Sequence, residues 1–141
     1  DGNINMLSID EAKKTKGHEG ITLDKFNLNT LHEFVHICHS YVQKSIPTRK
    51  DAWFWEALAT NLANPFENVT DFNVSAYDLL NKFNDIPNNY VIAYTIGKYL
   101  LDNYSQEDIL NYVEDSEFLI ADTQKLIDET LNWIKDKNIR K

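Results

Sequence analysis

The chain has 141 residues, enough for one hydrophobic core and too few for two ordinary domains, so a single domain over residues 1–141 is expected. With 14 basic against 22 acidic residues its formal charge is -8, which disfavours nucleic acid and anionic membrane surfaces as partners. The single cysteine, Cys38, excludes an internal disulfide and a multi-cysteine zinc site, so any metal must sit on histidine and carboxylate.

No apolar run is long enough to span a membrane and no short apolar signal segment opens the chain, so a soluble chain is expected; compartment and oligomeric state stay open. It begins at Asp1 without a methionine, as a processed, excised or trimmed chain would. Lys13, Lys14 and Lys16 form a basic cluster with no interleaved aromatics, which reads as solvated charge rather than a nucleic-acid surface.

In chain order, residues 3 to 9 and 20 to 26 alternate imperfectly, with Ile4, Met6, Ile21, Leu23 and Phe26 as apolar members, and predict two short strands. The period then changes. Leu31, Phe34, Val35, Cys38 and Val42 recur at three and four residues and predict an amphipathic helix from about Thr30 to Lys44, ended by Ile46 and Pro47. On that stripe Cys38 reads as a core residue. Asp51 is a candidate N-cap for a helix from Ala52 to Ala63, stopped by Asn64 and Pro65. After a loop rich in Asn and Asp, Ser75 with Asp78 opens a short helix through Leu79, Leu80 and Phe83, and a turn follows around Pro87. A long helix over Asn89 to Tyr104, one capped by Ser105 and Asp108, and a final helix from Ser116 complete the chain. The expected fold class is α+β and mainly helical: a small N-terminal antiparallel sheet followed by a helical body.

His32-Glu33-Phe34-Val35-His36 is an HExxH pattern inside a segment that is helical on independent grounds. Residues four apart on a helix differ by about 40° around its axis and about 6 Å along it, so both imidazoles can converge on one ion. Glu33 lies beside His32, placed for a water rather than for the metal, as a general base requires. Catalytic zinc takes three protein ligands as a rule. Glu56, a lone carboxylate in the apolar run Trp53 to Ala59, is the candidate third ligand, because a buried unpaired carboxylate wants a cation and one helix hairpin brings it back to the histidines.

This arrangement resembles the gluzincin metallopeptidases, the thermolysin-like and aminopeptidase-like group, whose HExxH is followed by a glutamate on the next long helix. Trp55-Glu56-Ala57-Leu58-Ala59 resembles that glutamate region, with Ala57 where glycine is usual. The stretch Val91 to Leu101 resembles the helix that carries the family's transition-state tyrosine, which puts Tyr94 in that role. The resemblance covers roughly residues 20 to 104 and implies a zincin-like fold, one Zn2+ per chain held by His32, His36 and Glu56, and a peptide or protein substrate. It further implies hydrolysis by water that zinc and Glu33 activate. Thr60 stands where thermolysin-like enzymes carry the acidic residue that orients a zinc histidine. No anchoring motif for a free amino terminus is present, which favours an endopeptidase or oligopeptidase.

Other readings compete at single positions. Thr30-Leu31-His32-Glu33 fits a capping box, which would make Glu33 a structural residue. His39, three residues past His36, could complete a three-histidine site or pack on an aromatic neighbour. His18 reads as an exposed loop residue. Tyr90, Tyr94, Tyr99 and Tyr104 form a stripe of the kind that usually packs. For the whole chain, the alternative to an enzyme is a catalytically silent module that keeps the fold and the metal.

Overall fold

In the computed structural model, which describes residues 8–45, 48–63 and 68–139, the first long helix opens at Thr22 rather than at Thr30. The Thr22 side chain accepts a hydrogen bond from the Lys25 amide, and Asp24 lies in the first turn, where a negative charge suits the helix dipole. The sequence 20–26 expected as a strand is therefore a cap followed by the start of a helix. The other expected strand, residues 3 to 9, lies mostly outside the described residues; of its last two, Ser8 forms a capping box with Glu11 and Ile9 begins the short helix α1 (Ile9–Ala12). No strand occurs among the described residues. The fold is all-α, and the expected α+β class with its N-terminal antiparallel sheet is overturned.

The remaining helices are α2 (Leu23–Val42), α3 (Ala52–Ala63), α4 (Ala76–Asn81), α5 (Asn89–Asn103), α6 (Gln106–Glu114) and α7 (Ser116–Ile139). Ser75 caps α4, and Ser105 with Asp108 forms the capping box of α6, as their spacing predicts. Asp51, expected as the N-cap of α3, spends its carboxylate on residues of other elements instead. It ends a 3-10 turn, is buried, and accepts hydrogen bonds from Gln43 at 2.9 Å and Ser116 at 2.8 Å, tying the end of α2 to the start of α7.

Helix α3 is apolar on nearly every side, with Trp53, Phe54, Ala57, Leu58, Ala59 and Ala63 buried, so it must lie between other helices. One side meets α2 and the other meets α5. The core continues through Ile92, Ile96 and Leu100 of α5 and Leu119, Leu126 and Ile127 of α7. Tyr99 and Tyr104 both donate to Glu129 of α7, so these two members of the tyrosine stripe do pack, with their hydroxyls satisfied. No helix of the described residues is long and apolar enough to cross a membrane.

The α2 stripe behaves differently from expectation. Val35 packs against the core, but Leu31, Phe34 and Val42 are exposed, and Cys38 is exposed rather than buried. With no sheet behind it, the helix turns toward α3 the side that carries Val35, His36 and His39 and leaves the Leu31, Phe34, Cys38 line outside.

At the α3–α5 contact a side chain is excluded. A Cβ on Gly97 would lie 2.6 Å from the Ala57 carbonyl oxygen and 2.6 Å from Asn61 Nδ2. Gly97→Ala gains helix propensity worth up to about 1 kcal/mol but forces the two helices apart, so net destabilisation of about 1–3 kcal/mol is expected in urea unfolding. An unchanged midpoint would mean that α3 and α5 can separate freely.

Candidate metal centre

Helices α2 and α3 run back along each other, as successive pairs record: Gln43 meets Asp51, His39 meets Phe54 and Trp55, and His32 and His36 meet Glu56. The ligand atoms of His32, His36 and Glu56 all fall within 4.8 Å of one another. His32 Nε2 and His36 Nε2 are 3.1 Å apart, Glu56 Oε2 is 3.1 Å from His32 Nε2, and Glu56 Oε1 is 3.5 Å from His36 Nε2. A tetrahedral ion with ligand bonds of 2.0–2.1 Å has ligand atoms about 3.3 Å apart; the contacts here are of that scale, with each carboxylate oxygen of Glu56 facing a different histidine.

The polar accounting also fits a cation. Two imidazole nitrogens that face each other can share only one proton, and Glu56 Oε2 is buried without a donor: its 3.1 Å approach to His32 is not aligned as a hydrogen bond. A metal ion would satisfy all three groups at once.

Glu33 is exposed and makes no hydrogen bond or ion pair among the described residues. Because α2 begins at Leu23, Thr30 lies well inside the helix, and the capping-box reading of Glu33 loses its helix end. Its charge nevertheless reaches the site side of the molecule. The Tyr90 phenol is held above its ordinary value first by the charge of Glu56, then by burial, then by the charge of Glu33. Tyr90 is 46% exposed, whereas Tyr94, one turn later, is 5% exposed. The two tyrosines thus divide: Tyr90 lies within the field of both glutamates and is open to solvent, and Tyr94 is enclosed in the helical packing. Nothing in the spacing separates them. The useful signal is position, since Tyr90 belongs to the first turn of α5, where a side chain can reach past the helix end.

Thr60 donates to the Glu56 carbonyl at 2.6 Å and to the Ala57 carbonyl at 3.3 Å, so its hydroxyl is spent on its own helix rather than on a histidine. His36 Nδ1 is buried with no partner among the described residues. His39 is not part of the ligand set. It is buried, stacks on Trp55 at 4.1 Å and 12°, and meets Phe54 edge-on. Burial pushes its pKa down to about 4, with Asp51 opposing that shift and His36 adding to it.

A histidine kept neutral by the fold binds protons more readily when unfolded. The stability that His39 contributes is therefore complete above about pH 6.5 and lost as pH falls toward 4, with roughly 3 kcal/mol as its upper bound. His39→Phe keeps a ring on Trp55 and removes the titration. Its melting temperature should decline less than that of the wild type between pH 6.5 and 4; parallel declines would place the proton uptake elsewhere.

The chain matches no known family model, no curated protein and no solved structure, so the reading of the site stands on its geometry.

Proposed function

We propose that the chain is a zinc-dependent peptidase, with His32, His36 and Glu56 as the metal ligands and Glu33 as the general base. The observation that supports this best is the convergence of His32, His36 and Glu56, one ligand atom from each lying within 4.8 Å of the others, with a glutamate of no structural task beside the first histidine. Bound there, zinc supplies a Lewis acid that acidifies water and draws charge from a carbonyl oxygen.

The chain's own groups do the rest. Glu33 takes the proton of the attacking water and passes it to the departing amine, so one carboxylate serves both halves of the reaction. The oxygen that gains charge as the carbonyl becomes tetrahedral needs a donor, and we assign that donor to the hydroxyl of Tyr90 rather than Tyr94. Its exposure and its electrostatic coupling to Glu56 and Glu33 support the assignment. A second reading, a metal-holding module without turnover, is favoured by one observation: no strand edge flanks the site among the described residues, so an extended substrate has no backbone to pair with there.

Glu33→Gln separates the two readings. Metal analysis should find about one zinc per chain in wild type and variant alike, with little change in melting temperature, while peptide hydrolysis falls by about two orders of magnitude or more. His36→Ala should cost both zinc and activity. A wild-type protein that holds zinc and cleaves nothing would support the module instead.

The tyrosine assignment has its own measurement. Tyr90→Phe keeps the ring, so zinc content should persist, KM should stay within a few-fold, and kcat should fall by about 10²-fold, the usual effect of one lost oxyanion donor. Tyr94→Phe should leave kcat near that of the wild type. The reverse pattern would return the role to Tyr94.

A further inference from the structure

We infer that the outward face of α2 is a self-association seam, on which a second copy of this chain docks its own α2 in antiparallel, two-fold register; the inference is independent of the peptidase reading. Leu31, Phe34, Cys38 and Tyr41 are all exposed, Phe34 at 53% and Tyr41 at 78%. They follow one another at three, four and three residues, a line narrower than the stripe that a helix turns to a core and spaced as a seam between two helices is. At about 100° per residue the line lies on the opposite side of α2 from His32 and His36, so an occupant leaves the candidate metal site uncovered.

Charge selects the occupant. With a formal charge of -8 on each, two copies repel wherever acidic surface meets acidic surface, so they approach most readily where charge is absent. From Phe26 to Gln43 the sole formal charge is Glu33, which stands about 100° round the helix from Phe34. A lipid surface fits less well, because helices that lie on membranes carry Lys and Arg along their polar face, and within α2 only Lys25 is of that kind.

The seam is also complementary to itself. Turned antiparallel about the point between Phe34 and Cys38, the large Phe34 faces the partner's small Cys38, Leu31 faces the partner's Tyr41, and Thr30 faces the partner's Val42. A parallel pair would instead set Phe34 on Phe34 and Tyr41 on Tyr41, and would bring both acidic first turns, with Asp24, together. Because packing on α3 already holds α2 helical, a short seam need not create its own helix. The exposed parts of Leu31, Phe34, Cys38, Tyr41 and Val42 offer on the order of 500 Å² per copy, so the pair buries about 1,000 Å², the size of a specific but reversible interface.

Sedimentation velocity over a concentration series tests this on the whole chain. The wild type should pass reversibly from monomer to dimer below about 1 mM. Phe34→Glu, which sets a charge in the seam of each copy, should weaken the dimer by about 100-fold or more. Tyr77→Glu, the same kind of exchange at an exposed position on α4, should leave it unchanged. Tyr41→Glu repeats the measurement if Phe34→Glu does not fold. Register has its own readout: in Phe34→Cys, mild oxidation should link position 34 of one copy to Cys38 of the other, as mass spectrometry of the peptides would record. A wild type still monomeric at about 1 mM, or a dimer that Phe34→Glu and Tyr41→Glu leave intact, would overturn the inference. Links between like positions only, 34 to 34 and 38 to 38, would overturn the antiparallel register. A monomer that binds phosphatidylserine vesicles through Phe34 would overturn it as well and give the face to lipid.

Discussion

The constraint on which the site depends is the placement of one carboxylate, Glu56, on a helix that is otherwise apolar. Helix α3 is apolar over most of its surface, so burial against α2 and α5 stabilises it, and that burial carries Glu56 inward to about one-fifth exposure. A carboxylate so placed is costly unless positive charge or donors meet it. The two imidazoles of α2 meet it, and an ion among them would remove the cost almost entirely. Hydrophobic packing thus delivers Glu56 to the two histidines, and its desolvation is what a cation there would relieve.

Apolar packing alone leaves helices free to slide by a fraction of a turn, which would separate His32 and His36 from Glu56. Polar joints at the ends of the contacts remove that freedom. Gln43, Ser45, Asp51 and Ser116 interlock where α2 ends, α3 begins and α7 starts, with Ser45 2.8 Å from Ser116 and Asp51 accepting from two donors. His39 wedged against Trp55 and Phe54 fixes the roll of α2 just after His36. Asn61 and Gly97 fix α5 on the other side. Each joint is directional, and each lies within about two turns of a residue assigned to the site.

The helices of the second half were legible because Ser75 with Asp78 and Ser105 with Asp108 announce their starts and their apolar periods run long. The convergence of His32, His36 and Glu56 was legible for a related reason: HExxH spacing has meaning only on a helix, and Glu56 is conspicuous among aromatics. The N-terminal sheet was misread because Ile21, Leu23 and Phe26 satisfy an alternating pattern and a helical one almost equally, and the deciding feature, a single Thr22 hydroxyl bonded to the Lys25 amide, is a local cap rather than a period. Cys38 was misplaced by the same assumption. A stripe at three- and four-residue spacing implies a partner surface, and without a sheet none of the described elements covers that side of α2. The different exposure of Tyr90 and Tyr94 was beyond sequence altogether, since residues one turn apart share a face and differ in how far each stands from the end of the helix.

The longer α2 also alters what Glu33 means. A glutamate at the third position of a helix has structural work there, accepting the cap residue's amide, and a helix that began near Thr30 would have given Glu33 that work. Beginning at Leu23, α2 has its cap in Thr22, its early acidic residue in Asp24, and ten residues of helix before Glu33. An exposed mid-helix glutamate with no partner is ordinary on a protein surface and would pass without comment elsewhere. Here it adjoins His32, its charge reaches the same phenol that Glu56 reaches, and no helix end claims it. The error in the helix boundary thus strengthens the chemical reading of the residue it concerned: once structure has no use for Glu33, its place beside a converging triad is what remains to be explained, and a base for water is the task that such a place suits.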